Sequence, residues 1–220
     1  MTIIPCESQE VWVQSAVELI IKDLLRDIQL HGAASLALSG GSTPYPVYEA
    51  LALDKRIDWS KIGLIQVDER YVPIGDPEYN WSKVTDAVGS DVIMRSPLVC
   101  TFDTTLSPEE SLHYMNTCSP ESLSVAILGM GTDGHIASLF PGGPWDDHGS
   151  KTLATEAPDQ YKTQKRLSLS AEYLMKSESI VLLIQGEEKT SLIQDVLKSS
   201  ESDLPVGILL SHPNVQVVQI

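Results

Sequence analysis

The chain has 220 residues, 42% of them hydrophobic, and 30 acidic against 15 basic side chains leave a formal net charge of -15. That length supports a large core and reads as one α/β domain over 1–220, while the acidic excess excludes nucleic acid, whose phosphates call for clustered Lys and Arg. No apolar run approaches the ~18 residues of a membrane span, and Met1-Thr2-Ile3-Ile4-Pro5 lacks the basic start and long apolar stretch of a secretory signal, so no membrane partner and a cytoplasmic location are expected.

In chain order, Val13, Ala16, Val17, Ile20, Ile21, Leu24, Leu25 and Ile28 recur at three- and four-residue spacing and predict a helix over 8–30, closed by Gly32. A buried strand over 33–38 runs into Ser39-Gly40-Gly41-Ser42-Thr43-Pro44, where the proline is placed to open a helix reaching about 53. A second strand, 62–67, ends in Asp68-Glu69-Arg70. A Pro- and Gly-containing loop (72–78), a helix over 80–88 and a strand within 97–102 follow. Ser107 and Glu110 form a capping box for a helix over 107–117.

The strand 123–128 then leads into Gly129-Met130-Gly131-Thr132-Asp133-Gly134-His135, and the stretch 141–150 is turn-rich without an assignable element. A strand over 166–169, a strand over 179–185, a helix over 187–198 and a strand over 215–219 complete the chain. Alternating strands and helices predict an α/β fold with a mostly parallel sheet and helices on both faces. Cys6, Cys100 and Cys118 are odd in number and lack metal-ligand spacing, so they are expected to be free thiols.

Three polar loops (39–44, 68–70 and 129–135) leave the carboxyl ends of predicted strands, the edge at which open α/β sheets bind ligands. They are expected to converge on one crevice. In the first, backbone N–H groups at a helix start and the hydroxyls of Ser42 and Thr43 suit a phosphate; a plain strand-to-helix turn is the simple alternative. It is not a Walker A loop, because no Gly-Lys-Ser/Thr closes it, and no G-x-S-x-G elbow marks Ser42 as a nucleophile.

In the second loop, alternation along a strand puts Asp68 and Arg70 on one face, and Arg70 can offer directed hydrogen bonds to a developing oxyanion; solvation of a strand end is the alternative. The third loop matches G-x-G-x-x-G, but Phe140-Pro141-Gly142-Gly143-Pro144 interrupts the helix that a dinucleotide site requires. His135, with Asp133 two residues before it, is the candidate proton-transfer group; a structural histidine is the competing reading. His31, His113, His148 and His212 are scattered and read as surface or loop residues. Lys189 falls in the first turn of a helix, against the dipole, where a bound anion would account for it; an exposed lysine remains the simple alternative.

Taken together, Ser39-Gly40-Gly41-Ser42-Thr43-Pro44, Asp68-Glu69-Arg70-Tyr71-Val72-Pro73, Asn80, the run from Leu128 through His135 to Ser138-Leu139-Phe140-Pro141-Gly142, the pair Gly186 and Lys189, and Leu204-Pro205 resemble the 6-phosphogluconolactonase family. That family lies within the wider glucosamine-6-phosphate isomerase/deaminase group. The matches keep family order over nearly the whole chain. Arg70-Tyr71-Val72-Pro73 and Ser138-Leu139-Phe140-Pro141-Gly142 resemble the lactonase branch rather than the deaminases; Tyr79 replaces a serine usual before Asn80, and the segment after Gly142 is short and departs from the pattern.

The resemblance implies a single-domain fold of the glucosamine-6-phosphate deaminase/ribose-5-phosphate isomerase type and hydrolysis of 6-phospho-D-glucono-1,5-lactone in the oxidative pentose phosphate pathway. It implies His135 as general base, Arg70 as oxyanion binder, Asp68 as a positioning group and Asp133 as the group that orients His135. Ser39, Gly40, Gly41, Ser42, Thr43, Asn80, Gly131, Arg166 and Lys189 are the implied substrate-binding residues, with the phosphate on the 39–43 loop, Lys189 and Arg166. No metal, cofactor or obligate protein partner is implied; the partner is the small sugar-phosphate lactone. Two other readings stay open: an amino-sugar-phosphate isomerase/deaminase, and a non-catalytic sugar-phosphate sensor, which would not need His135 and Arg70.

Overall fold

A computed structural model describes residues 1–199 and 203–220. Its elements run β1 (Thr2–Pro5), α1 (Gln9–His31), β2 (Ala34–Leu38), α2 (Tyr45–Leu53), β3 (Ile62–Gln66), β4 (Asp68–Arg70), α3 (Asn80–Val88), α4 (Ser90–Arg95), β5 (Val99–Cys100) and α5 (Pro108–Cys118). After these come β6 (Val125–Gly129), β7 (Thr152–Glu156), β8 (Lys165–Leu169), α6 (Ala171–Leu174), β9 (Ser179–Ile184), α7 (Glu187–Lys198), α8 (Pro205–Leu210) and β10 (Val215–Gln219). A 3-10 turn at Trp59–Lys61 leads into β3.

The main sheet has seven strands in the order β1-β10-β9-β6-β2-β3-β5, and every pairing in it is parallel. Its inner strands β2, β3, β6 and β9 are buried on both faces, so side chains of alternate parity enter different cores. Leu36, Leu38, Leu64, Val125 and Ile127 pack against Trp12, Ile20, Leu24, Tyr48 and Val84 from α1, α2 and α3. Ala37, Ile65, Ala126, Leu128 and Leu182 pack against Met115, Ile193 and Leu209 from α5, α7 and α8. Helices therefore cover both faces, as the alternation of elements predicts.

Helix α1 begins where the Ser8 side chain accepts the Val11 N–H and ends at Gly32, whose φ of 84° lets its N–H reach the Ile28 carbonyl. The capping box of α5 is present in full, Ser107 and Glu110 each receiving the other's backbone N–H.

The order in which successive strands are placed reverses at the centre of the sheet. From β2 the chain moves outward to β3 and β5, and from β6 it moves the other way to β9 and β10. The carboxyl ends of the neighbouring strands β2 and β6 thus flank a topological switch point, the crevice where sheets of this kind take ligands.

A second sheet, unexpected from the sequence, is antiparallel and ordered β4-β8-β7. Asp68-Glu69-Arg70 is one of its strands rather than the mere end of β3; Asp68 pairs with Ser168 and Arg70 with Arg166. It is joined to the end of the main sheet by the Val67 N–H on the Leu38 carbonyl and the Leu169 N–H on the Val67 carbonyl.

β1, α4, β7, α6 and α8 also lie outside the expected elements. They are short and carry too few periodic apolar residues to be read locally; pairing or packing with remote segments holds them. The expectation of three free thiols is corrected as well. Cys100 in β5 and Cys118 at the end of α5 have Cα atoms 5.8 Å apart and form a disulfide, and only Cys6 is free. Sequence spacing cannot show such a meeting, because the packing of α5 beside β5 creates it. His212 is buried rather than exposed, its Nε2 2.9 Å from the Ser177 carbonyl. No helix among the described residues is long and apolar enough to cross a membrane.

Candidate active site

A cleft of about 360 Å³ opens at the switch point. Ser39, Gly40, Gly41, Ser42, Thr43, Asp68, Arg70, Asn80, Gly131, His135, Arg166 and Lys189 all line it, so the three polar loops do converge. Asp133 stands behind His135, with Oδ1 2.5 Å from the imidazole Nδ1.

The loop after β2 is shaped by a close approach. Gly40 lies against the side-chain amide of Asn80, and any Cβ there would overlap that amide. The Ser39 hydroxyl is used within the protein, donating to the Ile127 carbonyl at 2.9 Å and tying β2 to β6. Ser42, Thr43 and the backbone of the loop are the groups that remain for a ligand.

The loop after β6 is a tight turn closed by Gly131 N–H on the His135 carbonyl (2.9 Å) and Gly134 N–H on the Gly131 carbonyl (3.1 Å). The His135–Asp133 pair sits over the Gly131 Cα, where a Cβ would overlap both side chains. Leu204 packs against the outside of the same turn, and the Val206 N–H donates to the Gly134 carbonyl at 3.1 Å. That contact explains why Leu204-Pro205 keeps company with the other motifs. Ala137, with a φ of 49°, takes a left-handed conformation rare for a residue with a Cβ; such strain concentrates at functional sites.

His135 spends Nδ1 on Asp133, so Nε2 is the nitrogen left to act in the cleft. Burial works against the Asp133 carboxylate, yet the hydrogen bond and charge of His135 outweigh it and hold Asp133 below its ordinary pKa. The pair therefore has the form of an imidazole oriented by an ionised carboxylate. Phe140 and Tyr161 pack against the ring and each other, with centroids 4.8 and 5.7 Å from it.

Asp68 and Arg70 project from one face of β4 into the cleft, and Glu69 points the other way into the protein. Ser138 donates to Asp68 Oδ2 at 2.6 Å. Arg70 donates to the Glu78 carbonyl at 3.0 Å, while its buried Nε has no partner among the described residues. Asn80 donates to the Asp68 carbonyl at 3.3 Å, and its buried Oδ1 is likewise unpartnered. Arg166, beside Arg70 across the β4–β8 pairing, donates to the Thr163 carbonyl at 2.9 Å. Burial, then the charge of Arg70, lowers its pKa, and neither guanidinium has an ion-pair partner among the described residues. Two such cations in a strongly acidic chain are chemically suited to hold an anion.

Glu69 is a supporting residue that sequence reasoning passed over. It is fully buried, and its two oxygens accept from the N–H groups of Arg70 (2.7 Å), Asn80 (2.7 Å) and Trp81 (2.9 Å) and from Gln66 Nε2 (2.7 Å). Burial pushes its carboxyl up to about 7 against these four donors. Ser138 and Phe140 lay within a motif but carried no assigned role. Tyr161 had no local signal at all, since it belongs to an irregular connection between two strands that only pairing reveals. No cluster of three or more His, Cys, Asp or Glu side chains among the described residues is placed to hold a metal ion.

Comparison with known proteins agrees with this geometry. Residues 7–218 match the model of the family described as glucosamine-6-phosphate isomerases/6-phosphogluconolactonase. A 6-phosphogluconolactonase of Caulobacter vibrioides is 30% identical, with 96% of this chain and 92% of the relative covered. The structure of 6-phosphogluconolactonase from Thermotoga maritima superposes with a TM-score of 0.80 at 26% identity, covering 100% of this chain and 99% of that one. A monomeric glucosamine-6-phosphate deaminase shares the fold, with a TM-score of 0.78 at 19% identity over 100% of this chain and 97% of that one. Motif order, cleft and overall match agree, and the chain belongs to the glucosamine-6-phosphate isomerase/6-phosphogluconolactonase family.

Proposed function

We propose that the protein hydrolyses 6-phospho-D-glucono-1,5-lactone to 6-phospho-D-gluconate, the lactone-opening step of the oxidative pentose phosphate pathway, with His135 as general base. The observation that carries this reading is the carboxylate-paired imidazole in the same cleft as two arginines that lack ion-pair partners. The relatives' names point to the same substrate.

In this mechanism His135 Nε2 takes a proton from water as the water oxygen attacks the lactone carbonyl. The Asp133 carboxylate stabilises the imidazolium that results. Charge then builds on the carbonyl oxygen, and the Arg70 guanidinium, which lines the cleft, donates to it. Collapse of the tetrahedral intermediate expels the ring oxygen, which receives the proton back from His135. A lactone is an activated ester, so water activated by an imidazole is sufficient for the attack. Asn80, which lines the same cleft, contacts the sugar.

In the same cleft, Lys189, Ser42, Thr43 and the backbone of the glycine loop bind the phosphate, with Arg166, which stands beside Arg70, as a further cation. Lys189 lies in the first turn of α7 and has no acidic partner among the described residues. Anchoring the phosphate fixes the carbonyl relative to His135 and converts binding into orientation.

The test is a pair of coupled assays, one with 6-phosphogluconolactone corrected for spontaneous opening and one with glucosamine 6-phosphate. Lactone turnover well above the uncatalysed rate, with no ammonia released from the amino sugar, is the expected result. Deamination without lactone hydrolysis would transfer the protein to the other branch of its family.

A further inference from the structure

Tyr161 is set into the candidate site from the connection between β7 and β8. That connection is closed beneath it by Ala157 N–H on the Gln164 carbonyl (2.8 Å) and Tyr161 N–H on the Pro158 carbonyl (2.9 Å). The Tyr161 hydroxyl donates to Asp133 Oδ2 at 3.3 Å and lies 3.3 Å from His135 Nδ1. Its ring meets His135 edge-on at 88° and stands 5.4 Å from Phe140, and the Arg166 guanidinium carbon lies 5.8 Å from its centroid.

This geometry uses both oxygens of Asp133. Oδ1 receives the imidazole and the His135 backbone N–H, and Oδ2 receives the tyrosine. A carboxylate held on both oxygens loses more partners when it turns about χ2 than one held on a single oxygen, so its orientation is more firmly set. The imidazole in turn packs in a three-ring cluster with Phe140 and Tyr161. We infer that Tyr161 is a positioning residue for His135, its hydroxyl fixing the Asp133 carboxylate and its ring fixing the plane of the imidazole. The inference rests on the reading of His135 as general base.

The hydroxyl is a proton donor here, because burial and then the charge of Asp133 raise the pKa of Tyr161. Its donation also draws charge from the carboxylate that faces the imidazole. Asp133 and Tyr161 are the titratable groups touching His135; Asp68, Arg70, Arg166 and Lys189 line the same cleft.

Tyr161→Phe keeps the ring contacts and removes only the hydroxyl, and Tyr161→Ala removes both. Both variants, the parent and His135→Ala would be assayed with 6-phosphogluconolactone across pH 5.5 to 8.5, alongside thermal melting. Loss of one long hydrogen bond to the Asp133 carboxylate predicts a fall in kcat of about 10-fold for Tyr161→Phe, with KM and Tm close to the parent. The acid limb of its kcat profile moves to higher pH, since an Asp133 carboxylate relieved of the tyrosine proton holds the imidazolium more firmly. Tyr161→Ala falls further. Parental kcat and an unmoved acid limb in Tyr161→Phe, with His135→Ala inactive, would overturn the role of Tyr161 alone. A kcat loss that tracks a lowered Tm, without movement of the limb, would also overturn it by showing a structural residue. An active His135→Ala would overturn the base reading and this inference with it.

Discussion

The parallel sheet reaches the cleft through loops that leave β2 and β6 at one edge, whereas the antiparallel sheet reaches it with side chains on the strands themselves and on one connection. The first arrangement places Ser42, Thr43, Gly131 and His135 by short local turns, each continuous with a buried strand. The second places Arg70 beside Arg166 only because β4 and β8, remote in sequence, pair in one register. A one-residue slip in that register would turn Arg166 to the opposite face. The His135–Asp133 pair thus stands on locally determined backbone, and the paired arginines depend on a long-range pairing.

Substitutions on the two sides should therefore behave differently. His135→Ala acts on the parallel-sheet loop and should lower kcat by about 100- to 10,000-fold while the melting temperature stays near that of the parent. Near-normal turnover would remove His135 from the reaction. On the antiparallel side, Arg70→Ala should lower kcat/KM by about 100- to 1,000-fold. A loss confined to KM, with kcat intact, would show Arg70 to be an anchor for the phosphate rather than a group that answers developing charge.

Glu69 joins the two regions, and its titration offers a measurement of stability. Burial raises its pKa from 4.5 to about 7, so the folded protein holds a proton that the unfolded chain releases between those values. The stability tied to that proton is complete below about pH 4.5 and is lost as pH rises through about 7. Glu69→Gln abolishes the titration; relative to the parent its stability should rise by about 2 kcal/mol between pH 5 and pH 8, read from denaturant unfolding at each pH. A difference that stays constant over the range would show that Glu69 does not titrate there. The smallest effect belongs to Lys189→Ala, for which loss of a charge-assisted hydrogen bond predicts a KM about 10-fold higher at unchanged kcat. An unaltered KM would place the phosphate elsewhere in the cleft.

Much of this molecule could be read before its fold was known. The 3.6-residue periodicity of α1, the buried runs of β2, β3, β6 and β9, and the glycine turns around His135 are local patterns backed by local physics. Glycine at 131 was legible as part of a motif, although its reason, the imidazole and carboxylate lying over its Cα, is a tertiary contact. Glu69 was read as one of three charges at a strand end. Its burial under four donors follows from α3 starting at Asn80 directly against β4.

By itself the sequence determined the alternation of strands and helices, the sites at which the chain must turn tightly, and the placing of Asp133 and His135 together in one glycine turn, because backbone conformation and hydrophobic period act over a few residues. Only the tertiary structure decided that 68–70 is a strand of a second sheet, that Cys100 meets Cys118, and that Tyr161 closes on Asp133. Those outcomes depend on pairings between segments far apart in the chain. Their stabilisation comes from burial and hydrogen bonds that exist only once the whole core has formed.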